Sequence, residues 1–494
     1  MSLREEARAL VESLNQRMSP SAYDAAWMAR LRGSDGDPRW PSLTEWLLDR
    51  QHADGSWGGA IEYYHDRLIS TLAAIIALEE NGGSRRALAA VDRGVRYVWH
   101  ATQRLWLDPF ELSGFELIFP TLLAEARGLG LDVPSHAYGY DEVQAEKLKL
   151  IPPEMLYSPK ISTVYSLEFL GRSVDAHLLR NTIGENASVG NSPATSAYYA
   201  MISRNDTTLS YLNSIVDEHR IVTVYPFRIF ELSWVLFFLS HSGLPIADLV
   251  PEARLDALYG EMSPAGFALD PTFGPTDGDI TSVCCAVLLL AGYDLDPDVL
   301  RRFQDEQRCL FRTYGYERNV SVTTNVHALN ALNLWTEYPN REEVRSEILL
   351  TILDSRQHNT FWTDKWHASP YYPSCHALIT LAEEGPHLVY ACEPTIEWLT
   401  HTQRENGSWG FFDHGTAEET AYALTALLHC NRYYDVDDEI LHRGADYLMS
   451  ADLGPDAAYP ELWLAKSIYS PYDIVRSGIL ASLILYEETF GRSL

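Results

Sequence analysis

The chain has 494 residues, 46% of them hydrophobic and 12% aromatic, ample for globular burial and suggestive of two domains of ordinary size. A formal charge of −30 excludes nucleic acid and anionic membrane surfaces as general partners, since both are repelled across most of the surface, so an anionic substrate has to be met by a local basic pocket. Apolar runs are too short to span a bilayer, the N-terminus lacks a secretory apolar core, and the six cysteines show no metal-ligand spacing; a soluble cytoplasmic protein without structural zinc is expected.

In chain order, helical periodicity runs through 4–16 and 43–50, and then meets the octet Gln51-His52-Ala53-Asp54-Gly55-Ser56-Trp57-Gly58. Further helices are predicted over 66–80, 115–129 and 227–241, before a turn-rich run over 264–278. Asp277-Gly278-Asp279 opens the next apolar helix, 282–291, and Thr324-Asn325-Val326-His327 opens another, 326–335. Asp364-Lys365-Trp366-His367 follows. The octet then returns as Gln403-Arg404-Glu405-Asn406-Gly407-Ser408-Trp409-Gly410 ahead of helices at 417–430 and 477–488, with a degenerate copy from Gln357 to Trp362. Matched octets at opposite ends of the chain indicate an internal duplication; glycine allows the tight turn, and Gln and Trp tie successive helices together. No sustained strand alternation competes with the helices.

The carboxylates of Asp277 and Asp279, one residue apart at a helix start, carry the chemistry. In a dry pocket both cannot ionise easily, so one is held as a neutral acid near pH 7. The helix N-terminus favours the anion and makes whichever group holds the proton a stronger donor. On spacing alone, either residue also serves as an ordinary helix cap.

Taken with Ser21-Ala22-Tyr23-Asp24-Ala25-Ala26-Trp27, this ordered set of motifs resembles the bacterial class II terpene cyclases. The likeness is to diterpene cyclases of the halimadienyl (tuberculosinyl) and copalyl diphosphate synthase type, within the superfamily that includes squalene-hopene cyclases. It covers nearly the whole chain. The resemblance implies an all-α double α/α-barrel: a β domain from 1–24 and 240–494 holding the acid motif, and an inserted γ domain over 25–239. It implies that geranylgeranyl diphosphate is protonated at its terminal alkene by Asp279, with Asp277 as partner, and closes to a labdane-, halimane- or clerodane-type bicyclic diphosphate that keeps its diphosphate. Asn325 matches the asparagine that holds the donor's proton outward in similar enzymes. One departure is Ile280, where the family's acid motif carries Asp or Thr.

A carbocation has to be kept from water and faced by electron-rich rings. Trp234, Trp366 and Tyr372 are candidates among several aromatics, each of which also reads as ordinary core. Lys365, Arg67, Lys160 and Lys466 are candidates for gripping the diphosphate. A Mg2+ cofactor is expected to assist, with Asp66 and Glu116 as conceivable ligands. The expected partner is a small prenyl diphosphate, and the product would pass to a class I synthase or a phosphatase. Competing readings are a farnesyl diphosphate cyclase giving a drimane-type diphosphate, an α/α-barrel carbohydrate-active enzyme, and an inactivated cyclase acting as a binding module.

Overall fold

The computed structural model describes residues 2–491 except 217–226, 306, 308, 316 and 318. Among these residues the helices close two rings. In the first, Arg228–Ser240 packs on Gly278–Leu290, followed in turn by Val322–Leu334, Tyr371–Glu384, Ala417–Cys430 and Tyr472–Phe490, which returns to Arg228–Ser240. These helices are buried on nearly every side, and Gly278–Leu290 buries each residue from Gly278 to Leu288. Outside them lie helices with a single apolar stripe: Arg341–Asp354 buries only Val344, Ile348 and Ile352. A helix hydrophobic all round belongs inside and a striped one outside, so the burial pattern itself builds the two layers of an α/α barrel.

The second ring runs Ala22–Ala29, Tyr64–Asn81, Phe115–Gly128, the 3-10 segment Ser162–Ser173 and Pro193–Ser203, closing again on Ala22–Ala29. Each ring encloses its own hydrophobic cluster. One holds the side chains from Leu3 to Met18 and most of those from Phe227 onward; the other holds those from Ala22 to Ile215, with Phe273, Ala368, Leu464 and Ile468 joining from the first ring's half. The chain therefore begins in the first core, leaves it to form the second, and returns. Arg228–Ser240, assigned from sequence to the inserted segment, is an inner helix of the first ring, and all of Ala22–Ala29 lies in the second. Aromatic-rich helices look alike whichever core they fill, which is why the sequence displaced these crossings.

The octets are staples of matching geometry. Gln51 Nε2 donates to Gly55 O (2.9 Å) and Ala90 O (2.9 Å), as Gln403 Nε2 does to Gly407 O (3.0 Å) and Ile440 O (2.9 Å). The indole N–H of Trp57 reaches Leu47 O, that of Trp409 reaches Leu399 O, and that of Trp362 reaches Ile352 O, at 2.6, 2.7 and 2.6 Å. Gly55 and Gly407 have φ of 96° and 86°, and a Cβ there would meet the carbonyls of Arg93 and Arg443 at 2.7 and 2.3 Å. Only glycine fits both demands.

A two-residue antiparallel pair, Trp463–Leu464 with Ile468–Tyr469, was not legible in the sequence because strands this short show no alternation. It carries Trp463, Leu464 and Tyr469 into the wall of the cavity described next. Among the described residues, no helix is long and apolar enough to cross a membrane.

Candidate active site

A cavity of about 240 Å3 lies between the two cores and draws its lining from both. The first core contributes Asp277, Asp279 and Ile280 at the head of Gly278–Leu290, together with Phe230, Trp234, Tyr314, Trp366, Tyr372 and Trp463. The second contributes Leu117, Tyr165 and Phe169 and a polar group: Ser113, Lys147, Ser162, Thr163 and Ser166.

Asp277 is the N-cap of the acid helix. Its Oδ1 accepts the backbone N–H of Ile280 at 2.6 Å, and its Oδ2 accepts the Tyr314 hydroxyl at 3.2 Å. The capping reading and the chemical one thus fall on the same residue. Burial first, and then the neighbouring Asp279 carboxylate, push Asp277 up to about 8, so the pair retains a proton at neutral pH. Asp279 lines the cavity and meets Nδ1 of His327 through Oδ1 at 2.7 Å, which leaves Oδ2 outside that contact. His327 in turn meets Nδ1 of His376 through Nε2 at 3.1 Å.

Aromatic rings crowd the acids. Trp234 sits edge-on to Trp463, with centroids 5.5 Å apart, and to His327 at 4.8 Å; it lies 6.2 Å from Tyr372. Tyr165, Phe227 and Phe273 form a second group, 6.3 to 6.4 Å apart. Each ring face offers a developing cation about 0.5–2 kcal/mol of attraction without a lone pair able to capture it. The arrangement can deliver a proton into a dry aromatic cavity and shield the cation that results.

Of the residues singled out from sequence, Asp277, Asp279, Trp234, Trp366 and Tyr372 come together around this cavity. The others lie elsewhere. Asn325 binds backbone only: its amide donates to Phe311 O (3.0 Å) and Ser321 O (2.9 Å) and accepts from Phe311 N–H (2.9 Å). Two residues on a helix lie about 200° apart, so when His327 faces Asp279, Asn325 has to face away. Lys365 ties down the segment beside the acids, donating to Glu317 and to Asn319 O, both at 2.6 Å. Arg67 is spent on the first octet and the turn after it, through Ser56 Oγ at 2.6 Å and Ala60 O at 3.1 Å. Lys466 is buried against Glu168 at 2.8 Å, and Lys160 is exposed and outside the lining.

Asp66 and Glu116 do not fit a magnesium ion. Both oxygens of the buried Asp66 are taken by backbone N–H groups, of Gly59 at 2.8 Å and Ile468 at 3.1 Å, and Glu116 is paired with Lys147. Among the described residues, no cluster of three His, Cys, Asp or Glu is poised to hold a metal.

Sequence reasoning missed His327, Tyr314 and Lys147. His327 was visible as the last residue of its motif, one helical face away from the residue chosen. Lys147 is the one Lys or Arg in the described lining, and nothing in its helix Tyr140–Leu150 marks it as such.

No protein-family model matches the chain. It is 34% identical over 503 residues to a type B diterpene cyclase of Mycobacterium tuberculosis, covering 97% of each protein. It is 31% identical over 487 residues to an ent-copalyl diphosphate synthase of a Streptomyces species, covering 94% of this chain and 92% of that one. Among solved structures, the ent-copalyl diphosphate synthase from Streptomyces platensis superposes with a TM-score of 0.82 at 29% identity, over 98% of this chain and 99% of the other.

Proposed function

The chain belongs to the class II terpene cyclases, and we propose that it converts geranylgeranyl diphosphate to a bicyclic diphosphate by protonating the terminal alkene. The observation that carries this reading is the buried Asp277 and Asp279 pair opening onto an aromatic cavity. Asp279 is the donor, because its Oδ2 lies outside the contact with His327, whereas both oxygens of Asp277 accept bonds from Ile280 and Tyr314. The proton goes from Asp279 to the terminal alkene carbon. The cation left on the substrate is attacked by the next double bond, two rings close in sequence, and loss of a proton ends the reaction with the diphosphate still attached. The carboxylate left on Asp279 is stabilised by His327 and by the helix N-terminus.

The head group is held by the second core. Lys147 supplies a cation, since its side chain is 46% exposed in its pair with Glu116 whereas those of Lys365 and Lys466 are 17% and 1% exposed in theirs, and the hydroxyls of Ser113, Ser162 and Ser166 supply donors. Thr163 Oγ1 is buried without a partner, a polar atom that a phosphate oxygen would satisfy. A magnesium ion accompanying the diphosphate would enter as part of the substrate. The C20 substrate is supported by the diterpene relatives. On this reading the two rings are the β and γ domains, the product is passed to a class I synthase or a phosphatase, and the enzyme works in the cytoplasm.

The test is to incubate purified protein with geranylgeranyl and farnesyl diphosphates, remove the phosphates and analyse by mass spectrometry. A bicyclic C20 alcohol is expected, lost in a folded Asp279→Ala variant by about 1000-fold or more because water does not protonate an alkene at neutral pH. Undiminished product from that variant would refute the mechanism.

A further inference from the structure

We infer that His376 is a positioning residue that fixes the ring tautomer of His327 and thereby keeps the proton of Asp279 directed at the substrate. The inference rests on the assignment of Asp279 as the acid.

Asp279, His327 and His376 sit on three successive inner helices of the first ring, Gly278–Leu290, Val322–Leu334 and Tyr371–Glu384. Two contacts join them: Asp279 Oδ1 to His327 Nδ1 at 2.7 Å, and His327 Nε2 to His376 Nδ1 at 3.1 Å. His327 is fully buried and His376 is 3% exposed, so water does not substitute for either partner. Each contact holds one proton, and a neutral imidazole carries one N–H.

Three proton patterns satisfy both contacts. In the first, His376 Nδ1–H donates to His327 Nε2, so His327 carries its proton on Nδ1 and donates it to Asp279 Oδ1. The carboxyl proton then resides on Oδ2. In the second, His327 Nε2–H donates to His376, and His327 Nδ1 accepts the proton of Asp279, which is thereby withdrawn from the cavity. In the third, His327 is doubly protonated, and its charge 2.7 Å away favours the Asp279 anion, which has no proton to give. Only the first leaves an acid facing substrate, and it is the one in which His376 is the donor.

The surroundings of His376 suit that part. Its ring packs within 6 Å of Phe237, Phe238, Tyr372 and Tyr422, with Tyr372 nearest at 4.4 Å. Burial, with His327 and His241 beside it, holds it well below the ordinary histidine range and therefore neutral. A neutral donor at this place brings no positive charge that would draw the proton off the carboxyl group.

The test pairs 15N NMR of histidine-labelled protein with kinetics of two variants on geranylgeranyl diphosphate. In the unaltered protein, His327 is expected to show a protonated Nδ1 and an unprotonated Nε2. The opposite pattern, or a doubly protonated ring, overturns the inference, and this measurement needs neither a folded variant nor turnover. His376→Leu removes the donor and should lower kcat about 10- to 100-fold with KM held. His376→Asn places an amide N–H near the Nδ1 position and should recover most of that loss. Equal kcat in the two variants, whether both impaired or both normal, overturns it as well. Failure of the unaltered protein to cyclise any prenyl diphosphate would count against the acid assignment, while the tautomer would still be read directly.

Discussion

Replacing Asp277 by asparagine should make the protein more stable and less active, increasingly so as the pH rises. The folded Asp277 and Asp279 pair keeps one shared proton, because burial and the adjacent Asp279 push Asp277 up to about 8 against an ordinary value of 3.8. Between these values the unfolded chain has lost the proton and the folded one keeps it. Folding stability therefore falls as pH rises through this window, by about 1.4 kcal/mol per pH unit, and levels off above about 8. The whole penalty is on the order of 5 kcal/mol, an upper bound for a group coupled to a second carboxyl. Asparagine removes the titration while keeping the cap, since its carbonyl oxygen still accepts the Ile280 N–H now bound at 2.6 Å. Thermal unfolding followed at pH 5 and at pH 8.5 should show the variant ahead by roughly 1–2 kcal/mol at the lower pH and by a few kcal/mol at the higher. Cyclisation should fall at least about 10-fold at both. A stability difference that does not change with pH, or a variant less stable at pH 8.5, would show that Asp277 ionises as freely as in water and that the pair does not store a proton.

Three further outcomes separate residues that act on substrate from those that hold the fold. Lys147→Ala should raise KM for the prenyl diphosphate about 10-fold with the product unchanged, whereas Lys365→Ala, which frees Glu317, should lower the unfolding temperature with KM nearly unchanged; steady-state kinetics and calorimetry distinguish them. Asn325→Ala leaves the buried N–H and C=O of Phe311 unpaired and should cost roughly 2–4 kcal/mol of stability, read by denaturant titration, with the remaining folded protein cyclising at a normal kcat. Gly278→Ala should cut kcat by about 10-fold or more, because a Cβ there would lie 2.2 Å from Arg312 O and force the acid helix off its seat; normal activity would mean that the seat is not needed.

The sequence by itself determined the helices, the octet staples and the acid pair. Each is written in neighbouring residues: the 3.6-residue period, the Gly and Trp spacing within eight positions, and two aspartates at a helix start. It also pointed to Trp234, Trp366 and Tyr372, since large aromatics in apolar helices end up inside, in a core or along a cavity wall. Tertiary structure decided which polar groups meet. Asn325 and His327 share one motif, and only the rotation of Val322–Leu334 against Gly278–Leu290 sets which faces Asp279. Lys365, Lys466 and Arg67 carry the same charge as Lys147. The acids that hold Lys365 and Lys466, Glu317 and Glu168, come from chain segments whose approach no local spacing encodes. Ion pairs and long-range hydrogen bonds depend on distances of a few ångström between residues far apart in sequence, so they become legible only once the two rings have closed on each other.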